Sequence, residues 1–380
     1  MARFWAYFHK EYNTAGTASA FRGTNLKVNS TYYPTAPSGF TFGAGTKNTD
    51  FLIPDIEDQS LNISDNNTFI PVVSYASKGG VRHGVVPGYS VSGSFATKLY
   101  EEQASFLLDA ALAKESGTNP LGDLPSYQVD RCFWDSDPVA PQLRADSYKG
   151  VKFGAFGLTV GAQSPLVQCQ FQLTGSTCTP ITTSGTPLAP AYGKEPACTE
   201  YPLKVYTFKD TSVYIDFDGD PLYSVVSGSK VWTVPNRGKL LTVRSVSLSF
   251  VNTLATTAHN EGVLDRIQRS TQAVQISMVV DLYDPDGTGT EDDARGSLKW
   301  IDRYRDLRTA VTNGRNAVAL VLDNGSGGKR ISFDLGSNVV FDGVASITPI
   351  PEIFAAQISG TALYDPVNCN TYDWNIESIA

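Results

Sequence analysis

The sequence predicts a mainly β protein: two tandem β-sandwich or barrel domains, each with one flanking α-helix. Three observations predict it. Several segments alternate apolar and polar residues with the period of two that a half-buried strand requires. The composition, with 33 Gly, 21 Pro, 18 Tyr and 19 Phe against only 18% charged residues, favours strands and turns over helix. A strand running into a helix also occurs once in each half, followed each time by several closing strands.

Residues 1–55 are rich in Gly, Thr and Tyr without clear period and read as an N-terminal arm. The first domain spans 56–176. Its stretch 70–88, with "SYASKGGVRHGVVPG", reads as a loop too long for a simple hairpin turn. "YSVSGSFATKLYEEQASFLLDAALAK" (89–114) then changes period in the middle. Val91, Gly93, Phe95 and Leu99 share one strand face, and Ser90, Ser92, Ser94 and Lys98 share the other. From Tyr100 onward Phe106, Leu107, Ala110 and Ala111 recur at helical spacing among good helix formers. The strand "SYQVDRCFW", a Pro-rich loop, and the strands "KFGAFGLTV" and "LVQCQFQLTG" close the domain. In the last, Gln168, Gln170 and Gln172 alternate with Cys169, Phe171 and Leu173.

Residues 177–203 lack period and are rich in Pro, Thr and Gly, the composition of a linker. The second domain spans 204–365 and repeats the plan. "SVSLSF" sets Ser245, Ser247 and Ser249 against Val246, Leu248 and Phe250. A second long loop, 255–272, leads to "AVQISMVVDLYD", where Gln275, Ser277 and Asp281 oppose Val274, Ile276, Met278 and Val280. Trp300, Tyr304, Leu307 and Val311 form one stripe of a helix that Gly314 stops. "AVALVLD", the hairpin turn "NGSGG", "RISFDL", "VVFDGVASI" and "IFAAQISGTALY" follow. The closing strands end alike, "FQLTGST" against "AQISGTA", and the repeated order reads as an internal duplication. Residues 366–380 read as a short C-terminal tail.

Composition narrows the function. A formal net charge of −8 argues against a protein that grips nucleic acid by its phosphates. No signal-peptide-like segment and no apolar run of membrane-spanning length is present, so no membrane insertion is expected. Cys132, Cys169, Cys178, Cys198 and Cys369 are odd in number and widely spaced, which fits neither a zinc site nor a disulfide framework. His9, His83 and His259 lie in loops or near a terminus, and "GYSVSG" misses the spacing of a nucleophile elbow. "DFDGDP" and "DPDGTGTEDD" resemble calcium loops, but counting from Asp284 puts Arg295 where the closing Glu belongs, so they read as solvated turns. No phosphate-cradling glycine loop follows a strand. No catalytic residue, metal or cofactor is expected, and the chain does not read as an enzyme.

The polar faces are more informative. Strands meeting bulk water commonly carry Lys and Glu, and open edges need such charges to prevent pairing. Here the faces are uncharged or acidic, Ser and Gln with Asp281, and Lys and Arg are sparse along them, Arg244 being an exception. Closing the sheet with neighbouring chains would remove the edges and turn these faces toward a channel.

The order of "GYSVSGSFATKLYEEQASFLLDAAL", "YQVDRCFW" and "YKGVKFGAFGLTVGAQSPLVQCQFQLTGST" resembles the major tail tube proteins of long-tailed, siphovirus-like bacteriophages, and the second half resembles a further copy. The resemblance implies a structural virion protein, assembled in the host cytoplasm, whose rings stack into a hollow tube through which genomic DNA is ejected. It implies homotrimeric rings with pseudo-sixfold symmetry. The partners it implies are further copies of the chain, a tape measure protein, a tail terminator and baseplate or distal tail proteins. Double-stranded DNA would pass without specific binding. Ser90, Ser92, Ser94, Ser245, Ser247, Ser249, Gln275, Ser277 and Asp281 are then the expected lumen-facing residues. Val91, Phe95, Phe171, Leu173, Val246, Leu248, Phe250, Val274, Ile276 and Met278 would form the core. The competing reading is a receptor- or carbohydrate-binding β-sandwich of a virion or cell surface, with Trp134, Trp232 and Trp300 as stacking candidates.

Overall fold

A computed structural model describes residues 4–10, 51–52, 56–57, 60–67, 70–73, 81–85, 89–112, 124–134, 143–180, 204–216, 222, 224–226, 229–232, 243–258, 264–281, 316–336, 339–350, 353–364 and 371–379. The fold is mainly β, with antiparallel pairing in every sheet, and holds one α-helix among the described residues. The first half contributes β1 (Phe4–Lys10), β2 (Phe51–Leu52), β3 (Asn62–Asn67), β4 (Ile70–Val73), β5 (Val81–Val85), β6 (Tyr89–Lys98), α1 (Glu101–Ala111), β7 (Tyr127–Trp134), β8 (Leu143–Gly161), β9 (Gln168–Gly175) and β10 (Thr177–Pro180). The second contributes β11 (Thr211–Asp216), β12 (Ser224–Val226), β13 (Ser229–Val231), β14 (Val243–Ala258), β15 (Leu264–Asp281), β16 (Ala317–Asp323), β17 (Lys329–Asp334), β18 (Val339–Ile350), β19 (Ile353–Ala362) and β20 (Asp373–Ser378).

Eight strands form a continuous run in the order β3-β6-β9-β8-β14-β15-β19-β18, and the two halves of the chain meet where β8 pairs with β14. The remaining long strands lie in two further sets. β8 is long enough to serve two neighbourhoods: Leu143–Val151 pairs with β7, and Lys152–Thr159 pairs with β9. The change happens at Gly150, whose φ of 66° would strain a residue with a Cβ. β1 and β2 extend the set beyond β7, and β10 pairs the early part of β8. In the second half the corresponding set is β11-β16-β17-β20.

The halves share one wiring. β3-β6-β9-β8 matches β14-β15-β19-β18, and β1-β7-β8-β10 matches β11-β16-β17-β20, with each strand in the same chain order. The single strand β8 corresponds to β17 and β18, which part at Gly336, another positive-φ glycine (68°). Registers agree as well. Ser92 faces Thr174 in one half and Ser277 faces Ser359 in the other, which aligns "FQLTGST" with "AQISGTA". Under that alignment a β-bulge falls at the same place twice: between Phe153 and Ala155 opposite Leu173 and Gln172, and between Val344 and Ser346 opposite Ile358 and Gln357.

One hydrophobic core runs through both halves. Val91, Phe95, Phe171, Leu173, Val246, Leu248, Phe250, Val274, Ile276 and Met278 are all buried in it. Phe95, Phe171, Phe156 and Phe250 stack in sequence across β6, β9, β8 and β14, with ring centroids 4.8, 5.2 and 5.7 Å apart. Spacings of this kind add to the burial of each ring. Helix α1 starts with Glu101 and Glu102, which suit the positive end of its dipole, and buries Phe106, Leu107, Leu108, Ala110 and Ala111. Its C-terminal carbonyls are satisfied by the other half. Asn252 Nδ2 donates to Ala111 O (3.0 Å) and Trp374 Nε1 donates to Leu112 O (2.7 Å).

Several segments differ from expectation. The segment read as an arm contains β1, which is buried on both faces (Trp5, Tyr7 and His9 as well as Ala6 and Phe8), so no polar alternation marks it. The tail contains β20, which pairs with β17 and buries Trp374. The linker begins as β10. Both long loops are β-hairpins. β4 pairs with β5, and the β14–β15 ladder continues to Ala258 opposite Leu264. Thr253, Ala255 and Thr256 are all exposed there, so a strand with solvent on both sides left no period to read. The helix expected through Trp300, Tyr304, Leu307 and Val311, with Gly314 as its stop, lies outside the described residues, as do the acidic turn 284–293, His259, Cys198 and Cys369.

Candidate functional site

The eight-strand run has one apolar and one polar face. On the apolar side a single row reads Phe95, Phe171, Phe156, Phe250, Val274, Ala362 and Val339, all buried. On the polar side one row reads Lys98, Gln168, Thr159, Ser247, Ser277, Ser359 and Gly343, crossing seven strands. The next reads Ala96, Gln170, Gly157, Ser249, Gln275, Thr361 and Val340. A third runs Asn62, Ser94, Gln172, Ala155, Val251 and Ala273. The pleat makes this separation: because side chains alternate, a shift of one residue at any strand would exchange the faces.

Every candidate polar residue named from sequence belongs to this face. Ser92, Ser94 and Gln275 are exposed, and Ser90, Ser245, Ser247, Ser249, Ser277 and Asp281 are half-buried. Thr159, Gln357, Ser359, Thr361, Asn62 and Ser64 join them without having been singled out. The alternation in "AQISGT" carried the signal for Gln357, Ser359 and Thr361. Thr159 stands among glycines and apolar residues, where only the ladder reveals its side.

The face is uncharged over most of its area. Among its described side chains, Lys98 stands at the β6 end of its row, Lys152 is buried opposite Thr174, and Arg244 is ion-paired to Asp281 beside the β14–β15 ladder. Its hydroxyls and amides bond one another. Ser247 Oγ donates to Ser277 O (3.4 Å), Ser359 Oγ to Ser277 Oγ (3.4 Å), and Asn66 Nδ2 to Ser92 Oγ (2.7 Å). The described residues of the face lack the clustered cations that phosphate binding requires.

Burial shifts the protonation of several described groups in the interior. Burial drives the His9 imidazole down to about 3, so it is neutral at physiological pH. Burial raises the Cys132 thiol to about 12 and Cys178 to about 11, and it raises Cys169 too; all three are free thiols held protonated. Burial lifts Asp130 to about 6, against hydrogen bonds from Ser147 and Gln128. Trp232 is buried against Tyr214, which removes it as a surface for sugars. No cluster of His, Cys, Asp or Glu that could hold a metal occurs among the described residues, and no described helix is long and apolar enough to cross a membrane.

These features define a mainly β protein whose distinctive surface is an extended neutral wall. The phage tail tube protein family matches residues 76–362, well over half of the chain, and the chain belongs to that family. It is a structural tail tube protein and a component of the virion tail. No curated protein matches the chain.

Proposed function

We propose that three copies of this chain close into a ring with pseudo-sixfold symmetry, that rings stack into a tube, and that the neutral wall lines its lumen. The observation that carries the reading is the eight-strand run built from two four-strand units of identical order, joined at β8–β14. The units fall within two duplicated tube domains, 56–176 and 204–365. An eight-stranded barrel is filled by its own side chains. Three copies give about 24 strands; at roughly 4.8 Å spacing and roughly 40° tilt they close at a diameter of about 48 Å. That leaves an open channel.

Genomic DNA passes through during ejection, and a wall of Ser, Thr and Gln with few free cations lets it slide. Each phosphate contact would strengthen binding and arrest it. The β4–β5 hairpin and the far end of the β14–β15 hairpin reach the next ring. Assembly takes place in the host cytoplasm around a tape measure protein, between a tail terminator and the distal tail or baseplate proteins. Electron microscopy of the purified chain under assembly conditions tests the reading. Hollow tubes or rings support it, and a permanently monomeric protein contradicts it.

A further inference from the structure

Among the described residues, the eight-strand run ends in two edges. β3 pairs only with β6, and β18 pairs with β19 along its length, with a single further bridge from Val339 to Asn316. Under the correspondence of the halves, β18 stands where β8 stands, and β3 stands where β14 stands. Within one chain those two strands, β8 and β14, are already paired antiparallel over Ala155–Gly161 and Ser245–Val251. The missing neighbour of each outer edge is therefore the other edge, carried by a second copy.

We propose that β18 of one copy pairs antiparallel with β3 of the next, in the register of the β8–β14 joint; this rests on the tube reading above. The matched bulges and the Ser92–Thr174 and Ser277–Ser359 pairs fix that register. Transferred to the seam, Ser247–Thr159 becomes Ser64–Ile350, and Ser249–Gly157 becomes Asn66–Thr348. The transfer also keeps Ser64 and Asn66 on the polar face, so the neutral wall continues across the seam.

The seam differs from the internal joint in one respect. The Ala162 amide donates to Arg244 O (2.8 Å), and alternation along β8 aims the Leu158 amide at β14 too. The counterpart of Leu158 is Pro349, which has no amide hydrogen. Ile63 O, on β3, already accepts from Arg131 Nη1 and from the Tyr148 hydroxyl, each at 3.2 Å. The seam is thus a thinner ladder than the joint inside the chain. A ring comes apart into whole chains along its seams.

Disulfide trapping tests the seam. Ser64 and Ile350 would form a non-hydrogen-bonded pair, whose Cα separation of about 4.5 Å a disulfide spans. Assembled tubes of the Ser64→Cys, Ile350→Cys variant should shift, on mild oxidation, from monomer to covalent dimer and trimer, and unassembled chains should not. The Asn66→Cys, Thr348→Cys variant should behave alike and guards against local misfolding in the first. Asp65→Cys with Ile350→Cys, one residue out of register, should stay monomeric. Tubes in which neither matched pair cross-links, or in which the displaced pair links equally well, would overturn the seam alone. Failure of the wild-type chain to form rings or tubes would overturn the tube reading and the seam with it. Restoring the amide with Pro349→Ala should slow ring dissociation roughly two- to tenfold, the effect of one net hydrogen bond; unchanged dissociation would contradict the register.

Discussion

Thr159 and Ser247 stand opposite one another in the ladder where the two halves of the chain meet, and Ser277 stands on the far side of Ser247. Three hydroxyl residues on three adjacent strands, from both halves, thus form the middle of the neutral wall. Lysine at this spot should change transport without changing the fold. Ser247→Lys with Ser277→Lys leaves the core untouched, so assembly should proceed. DNA ejection should slow, and more at low salt than at high salt, because added phosphate contacts are screened by ions. Ejection rates equal to wild type at every ionic strength would remove the wall from the DNA path.

The stacked rings should behave as one unit. Phe156 lies between Phe171 and Phe250 and also meets Phe333 of the second half. Phe156→Ala should cost about 3–5 kcal/mol by denaturant titration. If the core is shared, the loss should appear in unfolding probes placed in either half. A loss confined to the first half would show two independent cores.

The Trp374 indole donates to Leu112 O at the end of α1, joining the C-terminal strand to the first-half helix. Trp374→Phe keeps an aromatic ring in place and removes the donor, together with the indole's second ring. The stranded carbonyl should cost about 1–3 kcal/mol. Truncation before residue 373 should cost more, since it also removes the β17–β20 ladder. Thermal unfolding of both variants checks the order.

Acid should expose two buried groups with opposite signs. His9 titrates at 6.5 when unfolded and at about 3 in the fold, so its contribution to stability is lost as pH falls from 6.5 toward 3. Asp130 moves from 3.8 to about 6, so its contribution is present below 3.8 and lost as pH rises through 6. The stability advantage of wild type over His9→Gln should shrink between pH 7 and pH 4. Its advantage over Asp130→Asn should grow over the same interval. Denaturant midpoints at the two pH values measure both trends.

The amount of this legible in the sequence follows from which strands have one wet face. β6, β9, β14, β15 and β19 each pair a buried row with a polar row, and their period announces both core and wall. β1 has no wet face and β16 is buried almost throughout, lying between the main core and the small cluster of Leu222, Trp232 and Ala319. The far end of β14 exposes Thr253, Ala255 and Thr256, on both of its sides. Strands of those two kinds carry no alternation, whatever their pairing. The β8–β14 joint was hidden for another reason, since it links residues far apart in the chain and leaves no local mark. Its trace in sequence is indirect: Gly157 and Thr159 put a bare, polar strand beside the serines of β14.

The central claim is that this chain forms a ring of three copies around a neutral channel. Electron-microscopic class averages of assembled tubes, with the mass per ring, test it most directly. The account predicts three chains per ring, six similar units around the axis, and Ser247, Ser277 and Thr159 on the channel wall. Six chains per ring, or these residues on the outer surface of the tube, would contradict it.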